Sequence, residues 1–171
     1  MTLPGLDELA TNTQKALNAV DPTEFLLAEH AWLRSVMSTY RTVIRDGECA
    51  SLVADVEDLS AALELHIRRE EEAYFPAVED VMAELGQGST FDMYGEHDAI
   101  RIRMGELLKT LAEGMPSAGS AFGAFSRSLL IHFENEEELI FAEVPEHLSD
   151  ETRQDILQEF ARLAETDATS N

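Results

Sequence analysis

From His66 the chain reads His-Ile-Arg-Arg-Glu-Glu-Glu-Ala-Tyr-Phe, and from His132 it reads His-Phe-Glu-Asn-Glu-Glu-Glu-Leu-Ile-Phe. Both fit His-apolar-x-x-Glu-Glu-Glu-x-x-Phe, and the copies lie 66 residues apart. Positions i and i+4 share one face of a helix. His66/Glu70 and His132/Glu136 therefore each present an imidazole and a carboxylate together. Two such pairs facing each other across a bundle core would hold a pair of metal ions.

Two more histidines join them. Glu29-His30 and Glu96-His97 repeat at the same offset, 66–67 residues, so the chain reads as an internal duplication. A buried carboxylate without a partner costs several kcal/mol, and two close together force one to take a proton. No lysine or arginine falls on the apolar stripes that carry Glu70 and Glu136, so a metal cation is the natural partner. Four imidazoles with two carboxylates suit iron better than magnesium or calcium, which prefer oxygen alone. There is no thiol in the set to select structural zinc.

Each feature has a blander reading. A single histidine on an apolar stripe is usually a satisfied core residue, and a single His-x-x-x-Glu is usually an exposed helix pair. Four such histidines in register with two glutamates shift the balance to a metal centre. Glu71, Glu72, Glu134, Glu137 and Glu138 read as solvated faces. Glu29 and Glu96 lie beside candidate ligands, but a helix turns them about 100° away; a supporting role there rests on tertiary contacts. His147 reads as a surface histidine. Tyr94, Trp32 and the Phe and Met residues of the stripes read as core packing.

The elements that must position these residues are helices. Asp21-Pro22-Thr23-Glu24 is a helix start, with Asp21 as cap and Pro22 at the first helical position. A first helix then runs to about Asp46, stopped by Gly47, with the stripe Leu26, His30, Leu33, Met37, Tyr40, Ile44. That alternating 4,3 spacing is the seam of a left-handed bundle. The second helix starts near Cys49, with the stripe Leu52, Val56, Leu59, Leu63, His66, Glu70, Ala73, and Pro76 should kink it or end its first part. A further piece reaches about Leu85, and Gly86–Thr90 is a loop with a cap at its end. The third helix covers about 91–113, with stripe Met93, His97, Ile100, Met104, Leu107, Leu111. The fourth covers about 121–143, with stripe Phe122, Phe125, Leu129, His132, Glu136, Leu139, Glu143, and Pro145 breaks it.

Ser149 looks like the cap of a shorter helix over about 150–164, followed by a loose tail. A short helix from Leu6 to Ala19 leads in. Loops this short make sequential helices antiparallel neighbours. The expected fold is all-α, an up-down-up-down four-helix bundle over about 22–145, within one domain spanning 1–171. His30 and His97 lie early in their helices, while His66 and His132 lie late. At 1.5 Å per residue all four sit roughly 10–20 Å from one end of the bundle, so the six side chains meet in one or two layers.

The chain has 171 residues, 34 acidic against 12 basic, for a formal net charge of −22. Such a surface repels phosphate backbones and anionic membranes, so neither nucleic acid nor membrane is an expected partner. One cysteine, Cys49, allows no intramolecular disulfide and fits a reducing cytoplasm. The first residues carry no basic, apolar leader, and nowhere do 18 apolar residues run together.

These residues resemble the hemerythrin-like family, also called the HHE cation-binding domain. The resemblance rests on Glu29-His30, the His66–Pro76 run, Glu96-His97-Asp98 and the His132–Phe141 run, and covers about residues 22–145. It implies a four-helix bundle holding two non-haem iron ions, bridged by carboxylates and an oxo or hydroxo group. The implied metal ligands are His30, His66, Glu70, His97, His132 and Glu136. Oxygen-carrying hemerythrins place a fifth histidine one turn after the third-helix ligand, and here that position is Arg101. The extra histidines of the related iron–sulphur repair proteins have no clear match before His66. Each ion then has about five ligands and one open position. That suits O2, peroxide or NO as the small-molecule partner.

Three functions compete at this level. The first is a cytoplasmic di-iron protein that binds or reacts with small oxidants, as carrier, sensor or peroxide-decomposing enzyme. The second is a ferritin- or rubrerythrin-like oxidase, but those bundles use Glu-x-x-His where this chain has His-x-x-x-Glu. The third is a structural or metal-free interaction module, which leaves Glu70 and Glu136 buried without a counter-charge.

Overall fold

The computed structural model describes residues 21–45, 52–114 and 116–170. Helix α1 is Pro22–Arg45. Asp21 caps it: the Thr23 and Glu24 amides donate to its Oδ1 at 2.8 and 3.1 Å. Helix α2 is Val53–Arg69 and passes without a break into a π-helical turn, Glu70–Tyr74, and then helix α3, Phe75–Leu85. Gly86 ends α3 in the left-handed region, at φ 71°, where a side chain is strained. Helix α4 is Phe91–Ala112 and α5 is Ala118–Leu139. A single 3₁₀ turn, Val144–His147, leads to helix α6, Asp150–Ser170. Ser149 caps α6 by accepting from the Thr152 amide at 3.1 Å. No helix among the described residues is long and apolar enough to cross a membrane.

The architecture is all-α: a four-helix bundle of α1, α2, α4 and α5, with an extra C-terminal helix. Helix α5 packs on α1 and on α4, and α4 packs on α2. Helix α6 lies against α1, α2 and the π turn. Arg153 pins the start of α6 to the start of α1 through an ion pair with Asp21. Two apolar clusters fill the interior. One holds Leu33, Met37, Leu63, Ile100, Leu129 and Phe133; the other holds Leu26, Tyr74, Phe75, Met93, Ile140 and Phe160. Each helix passes from one cluster to the other through a polar layer. His30 lies between Leu26 and Leu33, and His97 between Met93 and Ile100.

Several boundaries differ from the sequence reading. The first part of the second helix ends at Arg69, and Pro76 falls at the start of α3, directly after the intervening π turn. The wider turn spares the clash a proline ring makes with the carbonyl four residues back. Helix α5 stops at Leu139, four residues before the expected end, so Leu139 and Glu143 leave the core. The Phe141 amide donates to the Glu136 carbonyl, five residues back, and this wider turn brings Ile140 and Phe141 inward instead. Helix α6 runs to Ser170 rather than 164, and its Leu163 and Ala164 bury against Leu65. The expected 6–19 helix and the Asp46–Ser51 connection, with Gly47 and Cys49, lie outside the described residues.

Candidate metal centre

The bundle gathers His30, His66, Glu70, His97, His132 and Glu136 into one layer, each at most 1% exposed. Helix α1 supplies His30, α2 and its π turn supply His66 and Glu70, α4 supplies His97, and α5 supplies His132 and Glu136. Glu70 sits at the centre. Its Oε1 lies 3.0 Å from His66 Nε2 and 3.6 Å from His30 Nε2. Its Oε2 lies 3.2 Å from His97 Nε2 and 4.0 Å from His132 Nε2. Glu136 Oε2 lies 3.3 Å from His30 Nε2 and 3.5 Å from His132 Nε2. Two groups result that can hold a metal ion, His30/His66/Glu70 and His97/His132/Glu70.

The bonding of these atoms fits a cation. His30 Nε2, His66 Nε2 and all four oxygens of Glu70 and Glu136 are buried and make no hydrogen bond, although their neighbours are close. The remaining two nitrogens, His97 Nε2 and His132 Nε2, lie 3.0 Å from each other. Buried polar atoms without partners are rare and call for a specific cause. Histidine nitrogen and carboxylate oxygen together are a donor set for transition metals.

The electrostatics agree. Burial opposes a charged His66, but the Glu70 charge and the Glu29 hydrogen bond outweigh it and raise its pKa to about 10. Burial is likewise outweighed at His97, where Glu70 and Glu71 raise the pKa to about 9. At His30, contacts with Glu136 and Glu70 overcome burial and again raise it. Burial, and then the Glu70 charge, raises the pKa of Glu136. Glu70 goes well below its usual range: burial resists, but the His66 charge and contacts with His30, His66 and His97 win. The layer thus holds protons tightly, and a cation that binds must displace them.

A second ring of carboxylates surrounds the first. Each of the four Nδ1 atoms meets one oxygen: His30 with Glu137 at 2.8 Å, His66 with Glu29 at 3.0 Å, His97 with Glu71 at 2.9 Å, and His132 with Glu96 at 3.0 Å. Carboxylates accept, so each ring donates Nδ1–H outward and turns Nε2 toward the layer, where it can take a metal once any proton there is displaced; the His97 and His132 Nε2 atoms lie 3.0 Å apart. Glu71 and Glu137 are not the solvated residues the sequence suggested; each crosses to a histidine on another helix. Glu72, Glu134, Glu138 and His147 are exposed.

Each outer carboxylate is itself held. Arg34 donates to Glu137, Arg101 to Glu71, Arg69 to Glu29 and Asn135 to Glu96. The duplication carries all of these. Arg34 and Arg101 each lie four residues after a histidine, 67 apart, and Arg69 and Asn135 lie 66 apart. Arg34 and Arg101 are an identical pair legible at that offset, whereas Asn135 replaces Arg69 within the repeat.

The backbone repeats too. In both copies of the motif the phenylalanine amide donates to the glutamate carbonyl five residues back, Phe75 to Glu70 and Phe141 to Glu136. The wide turn recurs at the residue whose carboxylate stands between the histidines. In the first copy Pro76 has no amide to offer Glu71, and the Tyr94 hydroxyl donates to that carbonyl at 3.3 Å. Tyr94 is therefore a partly exposed brace on the π turn, not core packing.

A family model for the hemerythrin HHE cation binding domain matches residues 21–144. Comparison with curated proteins and with solved structures gives no match. The matched span takes in the four bundle helices and both His/Glu groups. With these groups at its core, the chain belongs to the hemerythrin HHE cation-binding domain family.

Proposed function

We propose that this chain binds two iron ions in the polar layer and uses them to bind or react with a small oxidant, O2, peroxide or NO. His30, His66 and Glu70 would hold one ion, and His97, His132 and Glu70 the other. Glu136, within 3.5 Å of His30 and His132, would add a further carboxylate donor. The observation that carries this reading is the set of buried, unpartnered atoms of His30, His66, Glu70 and Glu136. Iron there would supply a one-electron redox couple and Lewis acidity toward a diatomic or peroxide ligand.

The chain's own residues do the rest. The outer carboxylates orient the imidazoles and strengthen them as donors. Phe133 stacks on His30 with ring centroids 3.8 Å apart, and Phe75 lies parallel to His97 at 5.7 Å. These rings keep the layer dry and restrict it to small ligands. A soluble cytoplasmic protein facing small oxidants is the setting this reading implies.

The test is metal analysis of protein purified from cells, with optical spectra before and after O2, peroxide or NO. Two irons per chain and a ligand-dependent charge-transfer band are expected. No metal, or a single zinc retained by His66→Ala, would overturn the reading. Peroxide consumption by the same sample separates an enzyme from a carrier or sensor.

A further inference from the structure

The two halves of the polar layer use the same donor types, two imidazoles and a Glu70 oxygen, although the His97 and His132 Nε2 atoms pair with each other at 3.0 Å and those of His30 and His66 do not pair. Glu70 approaches His66 at 3.0 Å on one side and His97 at 3.2 Å on the other. Glu136 Oε2 is nearly equidistant from His30 and His132. What differs is the charge behind the histidines. On the His30/His66 side both outer carboxylates are neutralised by a guanidinium: Glu137 by Arg34, and Glu29 by Arg69. Arg69 is fully buried, against Phe25 of α1 and Phe160 of α6, so water screens its charge little.

On the His97/His132 side Asn135 stands where Arg69 stands in the other copy. Asn135 gives Glu96 a hydrogen bond without a charge, and no guanidinium reaches Glu96 among the described residues. Arg101, which holds Glu71, is shared with Glu64 and Asp98. This half is therefore more negative by at least one charge.

We infer that the two metal positions are unequal, and that a divalent cation binds first and more tightly between His97 and His132. The inference rests on the two-metal reading above. A charge one hydrogen bond behind a ligand acts through a poorly screened interior, and a carboxylate free of a counter-cation makes its histidine the stronger donor. One such charge separates the two affinities by about tenfold or more.

Cobalt(II) tests this, because its visible absorption reports ligand type at each position. Apoprotein shown to be folded by circular dichroism is titrated anaerobically against a competing chelator. Two phases are expected. His66→Gln keeps the tight phase, and His132→Gln loses it. Arg34→Gln, at a half-exposed position, removes a positive charge behind His30 and brings the phases together by strengthening the weak one. Arg101→Gln removes one behind His97 and drives them apart. A purely structural arginine would only lower affinity when replaced, so the rise on charge removal is the discriminating readout. Equal phases in the parent protein, the opposite histidine pattern, or arginine variants that shift both phases alike would overturn the inference. No cobalt binding at all would instead defeat the two-metal reading itself.

Discussion

His30 and Glu137 stand 107 positions apart in the chain, yet His30 Nδ1 lies 2.8 Å from Glu137 Oε1. The carboxylate belongs to α5 and the imidazole to α1, so the contact exists only when the bundle is assembled. Arg34, one turn after His30, closes the unit by a two-pronged bond to the same carboxylate at 2.7 and 3.1 Å. His97, Glu71 and Arg101 repeat it on the opposite pair of helices.

These paired units yield the first prediction. Glu137→Gln and Glu71→Gln keep every inner donor but weaken the hold on His30 and His97. Loss of such a partner costs about 10–100-fold in metal affinity. Each variant should show a loss in that range in a chelator competition assay, with helical content unchanged. Equal loss in Glu138→Gln, an exposed neighbour, would mean the effect is general surface charge and not the contact.

How much of this was legible in the sequence follows from what each residue depends on. The inner residues stood out because helical periodicity places them on apolar stripes, and a polar residue on such a stripe is conspicuous. Glu71 and Glu137 sit next to the stripe in sequence, inside Glu-Glu-Glu runs. Nothing local separates them from Glu72 or Glu138. Only the packing angle of a second helix decides which glutamate meets a histidine. The π turn was hidden for a related reason: Pro76 signals a disturbance but not its form, and the i−5 bond to the Glu70 carbonyl resolves it. Leu139 and Glu143 fall on a strict heptad continued through Glu136, but the corresponding wide turn there carries them out of the core.

Metal should be linked to stability through Glu70. A ligand that binds the folded chain and not the unfolded one stabilises it by about 2.7 kcal/mol at 100 times its Kd. Iron or cobalt added to apoprotein should therefore raise the Tm measured by circular dichroism, and a chelator should reverse the gain. Glu70→Ala removes the oxygens shared by both groups and should abolish the metal-dependent rise. A rise of full size in that variant would show the ions bind elsewhere, most simply on the acidic surface.

The Tyr94 brace makes a local prediction about the π turn. Its hydroxyl serves a carbonyl that Pro76 leaves without a backbone donor. Tyr94→Phe should cost about 0.5–1.5 kcal/mol in denaturant unfolding, the usual net worth of such a bond. Pro76→Ala restores an amide at the same place, so the Tyr94→Phe cost should shrink in that background. A double-mutant cycle measures the coupling. Equal costs in both backgrounds would show that the hydroxyl's contribution does not depend on the missing amide, and no cost in either would show that the ring against Phe75, which Tyr94→Phe keeps, is what matters.

Arg69 makes the last prediction. It is a fully buried cation whose Nη1 pairs with Glu29, while its Nε and Nη2 make no hydrogen bond. Phe25 and Phe160 hold the guanidinium at 5.0 and 6.0 Å from their ring centroids. Removing one member of a buried pair strands the other, at about 3–5 kcal/mol. Arg69→Met should fall at the low end of that range, because the two unpartnered N–H groups already cost stability in the parent protein. Adding Glu29→Gln removes the stranded charge and should recover part of the loss, since the amide can still accept from His66. Chemical denaturation of the single and double variants measures both effects. If the double variant is as unstable as Arg69→Met, the pair is not what Arg69 contributes, and its packing between α1 and α6 is.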